Sequence, residues 1–177
     1  AIVTTDAVSG VPTNHNKGTP PMAEIDTSLP ADLEKLVHSF FDRIPFNLLL
    51  GIRIDSLASD KVHMSLPMRE DLIGNYYRGI LHGGAISALI DVCGGAMAMI
   101  GAWEKQQDLP ASERMQRLSK LGTIDLRVDY LSPGKGQLFT CDSSLLRIGN
   151  KVAVVRSHLH SDSGALVAAG TGTYLCG

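Results

Sequence analysis

From Gly83 to Trp103 the chain is apolar on every side. Among these 21 residues Asp91 is the only charged one and Ser87 the only other polar one. A helix that is apolar all round is a buried helix, and a carboxylate in its middle is costly unless something satisfies it. Upstream, Leu33, Leu36, Val37, Phe40, Phe41 and Ile44 recur at the spacing of one helical face. That predicts an amphipathic helix over 29–44, capped by Ser28, with Asp32 and Glu34 near its positive end and Pro45 as its stop. Phe46–Leu50 reads as an apolar connector. A period of two then takes over in residues 51–57 and 60–67, where Val62, Met64 and Leu66 alternate with Lys61, His63 and Ser65. Residues 68–81 read as a polar loop, and 104–119 as a surface connection with one short helix around Ser112–Leu118. Four further strands follow, at about 121–131, 136–148, 151–160 and 165–175, separated by Ser132-Pro133-Gly134, Gly149-Asn150 and a turn over 161–164. In the first of them Ile124, Leu126, Val128 and Tyr130 alternate with Thr123, Asp125, Arg127 and Asp129, which puts Thr123 on the polar face.

Two strands, a long buried helix and four more strands predict an α+β domain, an antiparallel sheet wrapped on the helix. One domain over 28–177 is expected. Residues 1–27, rich in Thr, Gly, Pro, Asn and Asp and without apolar periodicity, read as a flexible N-terminal extension.

The buried helix also carries the candidate chemistry. Gly84, Ser87, Asp91 and Gly95 follow steps of three and four and so share a face, a narrow floor on which a substrate could lie beside a carboxylate. His82-Gly83-Gly84 stands at the helix start. The first N–H groups of a helix have no internal partner and carry partial positive charge. One end of the segment therefore offers oxyanion donors, and two turns on sits a potential base.

Leu81-His82-Gly83-Gly84 with Asp91 nine residues after the histidine, inside an uncharged helix and ahead of four strands, resembles the acyl-CoA thioesterases of the hotdog fold. The likeness covers roughly residues 45–175 and is greatest to the phenylacetate-pathway and 4-hydroxybenzoyl-CoA type, with its HGG-x6-D motif. The resemblance implies a six-stranded sheet around a central helix, here with an extra N-terminal helix. It implies an acyl-CoA substrate, Asp91 as general base or nucleophile, Gly83 N–H (with Gly84) as oxyanion donor, and Thr123 reaching the carboxylate of a neighbouring subunit. It further implies a homodimer or homotetramer with sites at the subunit interface. His82, Gly84, Asn75 and Ser87 are substrate-side candidates, His82 being read as the residue that fixes the helix start. In the family a polar residue stands six positions before the motif histidine. Tyr76 occupies that place here, and Asn75 serves only if the loop holds one extra residue. The helix over 29–44 has two readings, cover for the sheet or wall of an acyl tunnel, with cover preferred. Two other functions compete: a non-catalytic acyl-CoA-binding sensor or scaffold, and a hotdog hydratase or dehydratase.

Composition narrows the field. Net charge is −2, from 16 basic and 18 acidic residues, and there is one Trp, which speaks against a nucleic-acid partner or a membrane surface. Residues 83–103 are long enough to span a bilayer, but the central Asp91 and five glycines argue for a soluble core helix. No apolar run follows a basic start in residues 1–20, so no signal peptide is expected. Three scattered cysteines without a CxxC fit a reducing, cytoplasmic compartment and neither a disulfide framework nor zinc. His158 and His160 share a strand face with Arg156 but lack a completing carboxylate or cysteine, so no metal is expected. No GxSxG elbow, GxGxxG or P-loop occurs, and no cofactor is required.

Overall fold

The computed structural model describes residues 26–177. The extension expected over 1–27 lies outside the described residues except for its last two. α1 (Ala31–Phe41) and α2 (Pro45–Leu50) lead into β1 (Arg53–Leu57) and β2 (Val62–Pro67). A 3-10 turn (Glu70–Leu72) and a small hairpin, β3 (Ile73–Asn75) with β4 (Ile80–Leu81), precede α3 (Gly83–Lys105). α4 (Ala111–Leu118) then leads to β5 (Gly122–Tyr130), β6 (Leu138–Ile148), β7 (Val152–Ser161) and β8 (Leu166–Leu175). The six long strands form one antiparallel sheet in the order β1-β2-β6-β7-β8-β5. α3 lies against it and buries Ile86, Leu89, Ile90, Met97 and Ile100, while Met64, Leu66, Phe139, Val155 and Leu159 come from the sheet. This is the hotdog arrangement of the α+β class. By length and composition α3 could cross a membrane, yet 78% of its most apolar window is buried inside the fold.

The alternation of β2 holds: Val62, Met64 and Leu66 face the core, and His63 faces outward opposite Asp142. Cys93 packs in the core, its Sγ directed to the carbonyls of Val62 and Cys141. α4, close to the short helix expected around 112–118, lies by α3, where the Arg114 guanidinium sits 4.2 Å from the centre of the Trp103 ring.

Three expectations are corrected. The first concerns the N-terminal helix, which ends at Phe41 rather than Ile44. Ile44, preceding a proline, is extended (ψ 118°), and Pro45 opens α2 as its first residue instead of only ending α1. The cap of α1 is Pro30, with no side-chain bond; the Ser28 N–H donates instead to Asp26. The second concerns residues 68–81, which are not all loop. The β3–β4 hairpin and the turn before it hold the start of α3, as His82 N–H donates to Leu72 and Leu81 N–H to Gly134.

The third concerns the face on which Thr123 lies. β5 carries a bulge between Thr123 and Asp125. Thr123 pairs with the inward Tyr174, Asp125 with Thr173, and Leu126 with Gly172. The extra residue, Ile124, is left without a partner and is 57% exposed. A bulge moves every residue before it to the other face. Thr123 therefore points inward toward α3, not outward with Asp125 and Arg127.

Candidate active site

Asp91 stands near the middle of α3 and is half-buried. The Thr123 hydroxyl donates to its Oδ1 at 2.8 Å. Both residues belong to the same chain, so Thr123, turned inward by the bulge, meets the carboxylate of its own chain. Below them Tyr174 is buried, and its hydroxyl donates to the Asp91 main-chain carbonyl at 3.1 Å. Burial first, then the negative charge of Asp91, holds the Tyr174 phenol far above its ordinary range, so it stays a donor. A cavity of about 250 Å³ opens beside this group. Phe41, Ile44, Phe46, Val92, Gly95 and Tyr174 form its apolar wall, with Asp91 and Thr123 beside them. The N-terminal helices cover the core and also line this cavity. Leu33, Val37 and Phe41 bury against the core, while Phe40 and Phe46 remain partly exposed along the cavity.

The start of α3 is equally specific. The His82 ring caps the helix, its Nδ1 accepting from the Gly84 N–H at 2.8 Å. The Tyr130 hydroxyl donates to the Gly83 carbonyl at 3.0 Å. The Gly83–Gly84 peptide is thereby held at both ends, and the Gly84 N–H is already engaged. Ala85 and Ile86 donate back to His82. Of the first N–H groups only that of Gly83 is left without an acceptor among the described residues. It opens on a second hollow of about 380 Å³ lined by Ile80, Leu81, Ile86, Tyr130 and Gly134.

Ser87 is turned to its own helix, its hydroxyl donating to the Gly84 carbonyl. Asn75 is exposed at the end of β3, where its carbonyl accepts from Arg78 and Gly79, and it lines neither hollow. The structure thus brings Asp91 and Thr123 together, gathers His82, Gly83 and Gly84 two turns away, and leaves Asn75 apart from both. Neither Tyr174 nor Tyr130 is among the site residues read from the sequence. The one available hint was the glycine-rich stretch of β8 around Tyr174. A Cβ at Gly94 or Gly172 would lie within 2.5 Å of its hydroxyl oxygen, so both glycines are the space this ring needs. On the outer face of the sheet a carboxylate does accompany the histidine pair, since Asp142 lies 3.7 Å from both His158 and His160. Among the described residues no three His, Cys, Asp or Glu side chains are arranged to hold a metal ion.

Residues 78–168 match the thioesterase superfamily. The medium/long-chain acyl-CoA thioesterase YigI of Escherichia coli is 41% identical over 144 residues, 81% of this chain and 93% of that protein. A crystal structure of a thioesterase-superfamily protein from Shewanella oneidensis superposes with a TM-score of 0.79 at 45% identity, covering 83% of this chain and 97% of that one. The PaaI protein of the E. coli phenylacetic acid degradation operon shares the fold (TM-score 0.67) at 17% identity, over 84% of this chain and 96% of that one. With the sheet, the central helix and the HGG-x6-D spacing in place, the chain belongs to the thioesterase superfamily.

Proposed function

We propose that this protein hydrolyses the thioester of medium- or long-chain acyl-CoA, and that each active site is built by two copies of the chain. The observation that carries the reading is the Asp91–Thr123 pair beside an apolar cavity. Thr123 occupies Oδ1 and leaves Oδ2 to accept a proton from water. The water oxygen bonds to the thioester carbon, the C–S bond breaks, and Asp91 returns the proton to the leaving thiolate, giving free acid and CoA. The carbonyl oxygen takes its hydrogen bond from a Gly83 N–H. The likeness to YigI supports the substrate class.

Two copies are needed for a geometric reason. Gly83 and Asp91 are eight residues apart, about 12 Å along the helix axis. Helical N–H groups point off the N-terminal end, so the Gly83 donor faces away from Asp91 of its own chain. A single carbonyl cannot meet both. A two-fold pairing of chains, Gly83 of one opposite Asp91 of the other, supplies what one chain lacks. β5 lies at the sheet edge, and pairing there would cover an unpaired strand.

The test is thiol release from a panel of acyl-CoAs by wild type and Asp91→Asn. Turnover by the wild type and a loss of roughly 10²–10⁴-fold in the folded variant is the expected result. Binding of acyl-CoA without turnover by either protein would overturn the enzyme reading in favour of a binding module.

A further inference from the structure

The cavity beside Asp91 contains a glycine that packing does not explain. α3 has other interior glycines whose reason is visible. A Cβ at Gly94 would meet the Tyr174 hydroxyl at 2.2 Å, and one at Gly101 would meet Leu145 at 2.4 Å. At Gly95 the nearest atoms to such a Cβ are on the Phe41 and Tyr174 rings at 3.7 Å, ordinary van der Waals contact. Its φ is not positive. Alanine would fit there and would favour the helix, because glycine in a helix interior is the weaker residue. A buried helical glycine with room for a methyl group, at a cost to the helix, marks space that is kept open.

That space is the cavity itself. Gly95 is one turn beyond Asp91 on α3, between Phe41 of α1 and Tyr174 of β8, and it lines the hollow that Asp91 and Thr123 border. The opposite wall is built from α1 and α2. Asn47 of α2 is buried and donates from Nδ2 to the Phe41 carbonyl at 3.0 Å, fixing α2 against the end of α1. Phe46 of α2 faces the cavity and is half exposed.

We propose that Gly95 sets the depth of the acyl pocket: the aliphatic chain of the substrate passes Asp91, runs over Gly95 and lies between the α1–α2 wall and Tyr174. Gly95 is then a specificity-determining position. This rests on the thioesterase reading above and adds to it the route of the chain. Side chains grown from position 95 fill the far end of the pocket and turn the terminal methylenes of long chains into water.

The experiment measures kcat/KM for butanoyl-, octanoyl-, dodecanoyl- and hexadecanoyl-CoA with wild type, Gly95→Ala and Gly95→Val, alongside thermal melts. Preference for hexadecanoyl over butanoyl should fall several-fold in Gly95→Ala and about tenfold or more in Gly95→Val, the loss expected when a couple of methylenes leave an apolar site. Gly95→Ala should melt no lower than wild type, so its kinetics report on the pocket and not on folding. A profile that falls in parallel for all four chains, or does not move in Gly95→Ala and Gly95→Val, overturns the proposal while leaving the hydrolase intact. Failure of the wild type to cleave any of the four overturns the enzyme reading and this one with it.

Discussion

At the residue scale, the site depends on two hydroxyls that act on one aspartate in different ways. Thr123 bonds the carboxylate and Tyr174 the main chain of the same residue. Losing a hydrogen bond to a charged group is worth about 1.5–3 kcal/mol. Thr123→Val should therefore lower kcat roughly 10–100-fold with little change in KM; an unchanged kcat would remove Thr123 from the reaction. Tyr174 makes a different prediction, from the upward shift of its phenol. In the folded protein it keeps its proton where an unfolded tyrosine, with a pKa of about 10, begins to lose it. Below that pH the shift has no effect on stability. Above it the unfolded chain binds fewer protons than the folded one, and stability falls as pH rises. Alkaline absorbance titrations of wild type and Tyr174→Phe should coincide until unfolding begins. An extra tyrosinate in the native wild type would contradict this.

At the scale of elements, the helix α3 is fitted to the sheet by glycines, and two adjacent ones separate structure from function. Gly94→Ala drives a methyl group into the Tyr174 hydroxyl, an overpacking that costs about 1–3 kcal/mol. In a domain of this size each kcal/mol lowers Tm by roughly 2–4 °C. Differential scanning calorimetry should find Gly94→Ala clearly below wild type and Gly95→Ala level with it or above. Equal melting of the two variants would mean that Tyr174 yields readily and that the fit at Gly94 is loose. β5 shows how one inserted residue can govern a site: Ile124 bulges out and Thr123 turns in. Strict alternation along 121–131 placed Thr123 with Asp125, because a bulge has no signature in the apolar pattern of one strand.

At the scale of the whole molecule, the proposed pairing of Gly83 from one chain with Asp91 from another can be tested by mixing. Gly83 is the first residue of α3, a position where proline is well tolerated, and His82 before it is already extended (φ −65°, ψ 136°). Gly83→Pro removes the N–H with little strain and should lower kcat about 10²–10³-fold. Asp91→Asn and Gly83→Pro proteins, each nearly inactive, should regain roughly a quarter of wild-type activity when unfolded and refolded together, since half the dimers are mixed and each has one whole site. No recovery, with mixed dimers demonstrated by native mass spectrometry, would place both groups in one chain and end the composite-site reading.

Much of this protein was determined by its sequence. The period of two in 60–67 and in the last four strands and the apolar run of 83–103 around one carboxylate specify six strands and a buried helix, because these are patterns of local periodicity. His82 as the residue that starts the helix was legible for the same reason. Other features were decided by tertiary structure alone. Thr123 meets Asp91 of its own chain because a bulge reverses a strand face. Gly84 is removed as a donor because the His82 ring folds back on it. Tyr174 and Tyr130 join the site from strands 83 and 47 residues away from their partners. The pocket wall comes from two short helices, α1 and α2, where one longer helix and a connector were expected. Each of these depends on which segments meet in space, and a single strand or helix carries no record of its distant neighbours.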